Sequence, residues 1–198
     1  MKKRIIFFLL GLVLAVVLSA WSDLRTLEDS LIRLHVVGAS DSEADQGVKL
    51  LVRDAVVEYL QPVLEQARDR DRALEMLGRE LECVEEIANG VLREQGFQER
   101  VTVTLEPEAF PRREYDTFTL PSGVYQSLRI RIGDAEGKNW WCVVFPSLCL
   151  SATSEDLRDT AASAGFSDTL TDTVTGEYEL RFFLLEVLGR LQNFFREA

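Results

Sequence analysis

The sequence predicts an α+β fold: a mostly antiparallel four-stranded sheet with two helices packed on one face, in the order β-α-α-β-β-β, followed by a C-terminal amphipathic helix. Two observations carry this. Apolar residues recur at helical spacing through two stretches before Gly96, and the period then drops to two. Helices grouped together and then strands grouped together, rather than alternating, suit an α+β layer arrangement.

The elements follow in order. Lys2, Lys3 and Arg4 precede an apolar run over residues 5–18, with Ser19 and Ala20 behind it. A basic start, an apolar stretch and small residues at its end are the layout of an export signal. Positive charge resists crossing the bilayer while the apolar stretch partitions into it. Residues 1–20 therefore read as a signal peptide or membrane anchor, and the rest as an extracytoplasmic body. Without the three basic residues the formal net charge goes from -11 to -14. So acidic a body repels phosphate backbones and anionic lipid, which excludes nucleic acid as a partner class.

Residues 31–37 alternate as a strand, with Ile32, Leu34 and Val36 on one face and Arg33 and His35 on the other. Gly38-Ala39-Ser40-Asp41 breaks it. Ser42, with Asp45 three residues on, resembles a capping box. Val48, Val52, Ala55 and Tyr59 then keep helical spacing until Pro62, which kinks or ends the helix. A longer helix over residues 71–95 carries Leu74, Leu77, Leu81, Val84, Ala88 and Val91 as a buried stripe, with Gly96 as its C-terminal cap.

Beyond Gly96, Val101, Val103 and Leu105 alternate with threonines, and Leu128, Ile130 and Ile132 with arginines. Residues 140–145 are nearly all apolar, as in a strand covered on both faces. The tract 133–138, with Gly133 and Gly137, reads as a hairpin loop whose glycines serve positive-φ turns. The α+β domain is thus placed at residues 28–150, a polar linker at 151–175 and the amphipathic helix at 176–198. That last helix carries Leu184, Val187, Leu188, Leu191 and Phe195 on one side for docking. The alternative to docking is that its aromatics Phe182, Phe183 and Phe194 meet a membrane or a partner.

Chemistry is sparse. There is a single histidine, His35, and no Gly-x-Ser-x-Gly elbow or paired histidines. Asp41, Glu43 and Asp45 do not make an EF-hand, because Gln46 stands at the glycine position and Val52 at the final glutamate position. No catalytic residue, cofactor or metal ligand is assigned. Cys142 and Cys149 are placed to pair across a turn containing Pro146, leaving Cys83 over; the alternative is three reduced cysteines acting as small apolar side chains. The adjacent Trp140 and Trp141 point to opposite faces of their strand, so one can fill the core while the other anchors a partner.

Several blocks are distinctive together: Arg33-Leu-His-Val-Val-Gly-Ala-Ser-Asp-Ser-Glu-x-Asp-Gln46, Lys49-Leu-Leu-Val-Arg-Asp-Ala55, Phe110-Pro111-x3-Tyr115, Leu120-Pro-Ser-Gly-Val-Tyr125 and Gly137-Lys-Asn-Trp-Trp-Cys-Val-Val-Phe-Pro146. In this order the chain resembles the stage II sporulation protein R family of endospore-forming bacteria. The resemblance implies a non-enzymatic signalling protein, exported from the forespore into the intermembrane space. There it would activate a membrane-embedded aspartic protease of the stage II sporulation protein GA type, which processes the pro-sigma-E factor. Under that reading the expected contact surface is Tyr115, Tyr125, Asn139, Trp140 and Trp141, with Arg129 and Arg131 beside it. The alternatives are an extracytoplasmic hydrolase using His35, and a cell-envelope binding module whose tryptophans stack on a sugar.

Overall fold

The computed structural model describes residues 2–146, 166–176 and 178–197. In chain order the elements are α1 (Lys2–Ser30), β1 (Ile32–Val37), α2 (Glu43–Leu64), α3 (Arg70–Glu94), β2 (Val101–Phe110), β3 (Arg113–Glu114), β4 (Thr119–Leu120), β5 (Gly123–Ile132), β6 (Asn139–Phe145), α4 (Asp168–Val174) and α5 (Glu179–Glu197). The described residues divide into two compact units. One, the sheet unit, takes residues 30–108 and 125–146; the other takes 2–29, 109–124 and 166–197.

In the sheet unit the Ser42 side chain accepts from Asp45 N at 3.1 Å and starts α2, as the capping pattern predicts. Pro62 does not stop that helix, which continues to Leu64. Asp69 caps α3 in the same way, accepting from Arg72 N at 2.8 Å. Gly96 follows with φ +80, a conformation in which a Cβ is costly. Val48, Val52, Val56 and Leu60 of α2 and Leu77, Val84, Ala88 and Leu92 of α3 join Ile32, Leu34 and Val36 of β1 in one buried cluster. Leu128, Ile130 and Ile132 of β5 and Cys142 and Val144 of β6 complete it. Burying each such side chain is worth ~1.5–3 kcal/mol, so this cluster is the main source of the unit's stability.

The sheet is mixed rather than mostly antiparallel. Its order is β2-β5-β1-β6, with β1 parallel to β5 and antiparallel to β6. Tract 133–138 is therefore no hairpin: β1 lies between the strands it joins. A period of two reports which residues share a face, but is silent about which strands are neighbours. The tract instead crosses the end of β1, where Gly137 N donates to Gly38 O at 2.9 Å and Glu136 N to Ala39 O at 3.2 Å. Gly133 does take positive φ, at +56. Gly137 serves a close approach instead: a Cβ there would stand 2.3 Å from Ser40 O.

In the second unit α1 runs ten residues past Ala20, and Ala20, Leu24 and Leu27 are buried. Glu28 accepts from Val124 N at 2.9 Å. The segment 166–175, expected within a linker, contains α4, capped by Ser167 and burying Leu170 and Val174. α5 docks, but on a different face from the one its pattern suggests. Phe182, Leu185 and Glu186 are buried, whereas Val187, Leu191 and Phe195 are exposed. Gly189 decides this: a Cβ there would fall 1.6 Å from Ser122 O, so only the glycine side of the helix can come so near that backbone. Beside it Glu186 accepts from Ser122 N at 2.8 Å and from Ser122 Oγ at 2.9 Å. Burial pushes the Glu186 carboxyl up, but these bonds and the Arg190 guanidinium at 2.6 Å outweigh it and hold it below the usual value.

Cys142 is disulfide-bonded and Cys83 is a free, exposed thiol. Cys149 and the linker positions 151–165 lie outside the described residues.

Candidate partner-binding site

The sequence blocks at residues 38–53 and 137–141 meet at one end of the sheet unit. Lys138 N donates to Asp41 Oδ1 at 2.7 Å. Lys49 Nζ, from the second turn of α2, donates to Lys138 O at 2.8 Å and to Gln46 Oε1 at 2.5 Å. Gln46 in turn donates through Nε2 to Ser40 O at 2.7 Å, and the Ser40 hydroxyl donates to Asp45. Lys49 is buried, and that burial lowers its ammonium pKa despite the opposing charge of Asp41. Asp41 and Asp45, two of the acidic residues of the calcium reading, are thus occupied in fixing the turn and the loop across from it. Among the described residues no group of three or more acidic, histidine or cysteine side chains could hold a metal ion.

This clamp fixes the start of β6, and with it Asn139, Trp140 and Trp141. Trp140 is paired in register with Val36 and Trp141 with His35, so the two rings fall on opposite faces. Neither fills the core. Trp140 is 38% exposed, and the Arg53 guanidinium from α2 lies over its ring at 4.3 Å. A guanidinium over an indole in partial contact with water adds ~0.5–1 kcal/mol and holds both planes in one orientation. Arg53 Nε also donates to the exposed Asp54 at 2.7 Å, so the result is a flat aromatic surface carrying a paired guanidinium, rimmed by the exposed Lys138 and Asn139. Side chains of this kind concentrate binding energy at protein interfaces.

Trp141 is half-buried and stacks on His35, with ring centres 5.3 Å apart. His35 Nδ1 lies 2.8 Å from Glu108 Oε1, and Nε2 lies 2.8 Å from Asn139 Oδ1. An ionised carboxylate only accepts, so Nδ1 carries the proton of the first bond. Burial would raise the Glu108 carboxyl, but the hydrogen bond and charge of His35, with Arg129 at 3.7 Å, hold it below its ordinary value. The imidazole is 4% exposed. Arg33, fully buried on the same strand, lies over the Tyr125 ring at 5.1 Å. On the sheet face opposite the helices, Arg33, His35, Tyr125 and Ser127 are therefore a buried polar layer, while Arg129, Arg131 and Trp141 keep exposed surface.

The expected contact surface is divided by these positions. Asn139, Trp140 and Arg131 are exposed, and Trp141 and Arg129 are half-buried. Tyr125 has no exposed surface and is withdrawn from the contact: as an odd-numbered residue of β5 it joins the buried polar face, where its ring receives Arg33. Tyr115 belongs to the second unit, where it stacks on Phe118 at 4.6 Å in the turn between β3 and β4. Arg53, Lys49 and Glu108 are the contributors that sequence reasoning missed. The first two sit four residues apart inside one distinctive block, and that spacing on a helix face was the available signal. For Glu108, beside Pro107 on an edge strand, nothing local marked the pairing.

The profile of the Stage II sporulation protein R family matches residues 28–155. The Stage II sporulation protein R of Bacillus subtilis (strain 168) is 28% identical over 185 residues, covering 83% of this chain and 83% of the relative. No solved structure matches. The matched residues contain the whole clamp, the Arg53–Trp140 pair and the His35 layer, and the chain belongs to the stage II sporulation protein R family.

Proposed function

We propose that this protein is an exported signalling ligand of endospore formation. It leaves the forespore through its N-terminal segment and activates a membrane-embedded aspartic protease of the mother-cell membrane, so that pro-sigma-E is processed. Family membership supports a role in sporulation. The observation that carries the ligand reading is the use of the distinctive sequence blocks. They build a rigid presentation of Trp140 and Arg53 rather than a cleft with a free base.

The hydrolase alternative asks His35 Nε2 to take a proton from a nucleophile or a water. That nitrogen already faces Asn139, Nδ1 faces Glu108, and the ring lies under Trp141. A sugar-stacking module would want an open aromatic face, and Arg53 covers one face of Trp140. The deciding experiment is co-expression of this chain, its protease and the pro-sigma substrate in a non-sporulating host. Wild type should give processing, and a folded, exported Trp140→Ala variant should lose at least tenfold of it. Undiminished processing by that variant would remove the site. Processing lost in His35→Gln with its fold intact would revive the hydrolase.

A further inference from the structure

We propose that α5 lies in the lipid–water interface beside α1, presenting its outward apolar stripe to the bilayer. The proposal rests on reading α1 as a retained membrane anchor.

Leu180, Phe183, Val187, Leu191 and Phe194 recur at steps of three and four along α5, and all are exposed. The opposite side, with Phe182, Leu185 and Gly189, is the one that packs. A helix that is apolar on its packed side and apolar again on its outer side has a second apolar neighbour. Its position within the same unit says what that neighbour is. Arg181 Nε and Nη2 donate to Asp23 at 2.8 and 2.5 Å, and Nη2 reaches Ser19 Oγ at 3.3 Å. Leu180 and Leu184 line a small cavity with Ala15, Val16 and Ala20 of α1. Further on, Gln192 donates to Glu28 at 3.3 Å. The start of α5 is thus pinned at the outer end of the apolar run of α1, and its axis then follows the polar half of α1.

That end of α1 has the composition of an interface. Trp21 is partly exposed with Arg25 over its ring at 5.2 Å, and Tyr178 is exposed just ahead of α5. Aromatic and basic residues of this kind collect at headgroup level. The apolar run itself is short. Residues 5–18 make about 21 Å of helix, against a hydrocarbon thickness of about 30 Å. A short span draws its flanking structure toward the membrane, and here the flanking structure is the apolar start of α5. With a chain net charge of -11, the attraction is apolar and does not require anionic lipid.

The test uses the full chain in phosphatidylcholine vesicles with single nitroxide labels, read by collision with oxygen against a water-soluble nickel chelate. Native Cys83, exposed and free, is the water reference. In a Cys83→Ser background, Val13→Cys is the lipid reference and Phe183→Cys the test position. A Phe183→Cys label that favours oxygen several-fold over the Cys83 label supports the proposal. Water-like behaviour at 183 with lipid-like behaviour at 13 overturns it and leaves the anchor standing. Water-like behaviour at both positions overturns it together with the anchor. Dipolar broadening at 183 that unlabelled chain dilutes away assigns the face to a second copy and also overturns it.

Discussion

Arg53 and Trp140 pair a helix residue with a strand residue 87 positions away, and the consequence is separable by mutation. Arg53→Ala should cost the isolated protein no more than ~1 kcal/mol, while processing of the pro-sigma substrate falls several-fold because the indole loses its fixed orientation. Urea denaturation and the co-expression assay measure the two effects. Glu108 makes a prediction of the opposite kind, with an effect on stability and none on signalling. Its carboxyl is held below the usual value in the folded protein. It therefore adds stability that is present above the unfolded carboxylate pKa and is lost as pH falls through the lower folded value. A Glu108→Gln variant should be less stable at neutral pH and show a flatter loss of stability between neutral and acid conditions. Thermal melts across that range decide it. Gly137→Ala should be strongly destabilising, at ~1–3 kcal/mol, since the new Cβ must displace the Ser40 carbonyl at 2.3 Å. Wild-type stability in that variant would mean the clamp yields without strain.

At the scale of elements, α5 is held to the 120–124 segment by one carboxylate and one glycine. Glu186→Ala leaves the buried Ser122 N–H without its acceptor, a loss of ~1–3 kcal/mol, and hydrogen exchange at Ser122 should accelerate accordingly. Much of the element plan was legible in the residues. Ser42 and Gly96 marked their helix ends, and the α3 stripe named Leu77, Val84 and Ala88 correctly as buried. The α5 stripe was misread because both sides of that helix are apolar. Periodicity identifies an apolar face, yet cannot rank two of them, and the choice fell to the missing Cβ of Gly189.

At the scale of the whole molecule, the proposed ligand role requires the N-terminal segment to carry the exposed Trp140 surface out of the cytoplasm. Deleting residues 1–20 should then abolish both export and processing in the three-component host, whereas full-length Trp140→Ala should be exported like wild type and lose only processing. Equal processing by the non-exported form would place the protein's action in the cytoplasm.

Composition and pattern by themselves determined that the chain begins with a basic start and an apolar segment, that an α+β body follows, and that this body is strongly acidic. These are properties of charge and period, which are written locally. The ordered blocks around Asp41, Lys49 and Trp140 also announced the family before any contact was known. Only the tertiary structure decided the rest. Strand order depends on pairing between distant residues, so the insertion of β1 between β5 and β6 left no local trace. The same holds for Arg53 over Trp140, Glu108 on His35, and the burial of Tyr125 on a face that alternation could name but not cover.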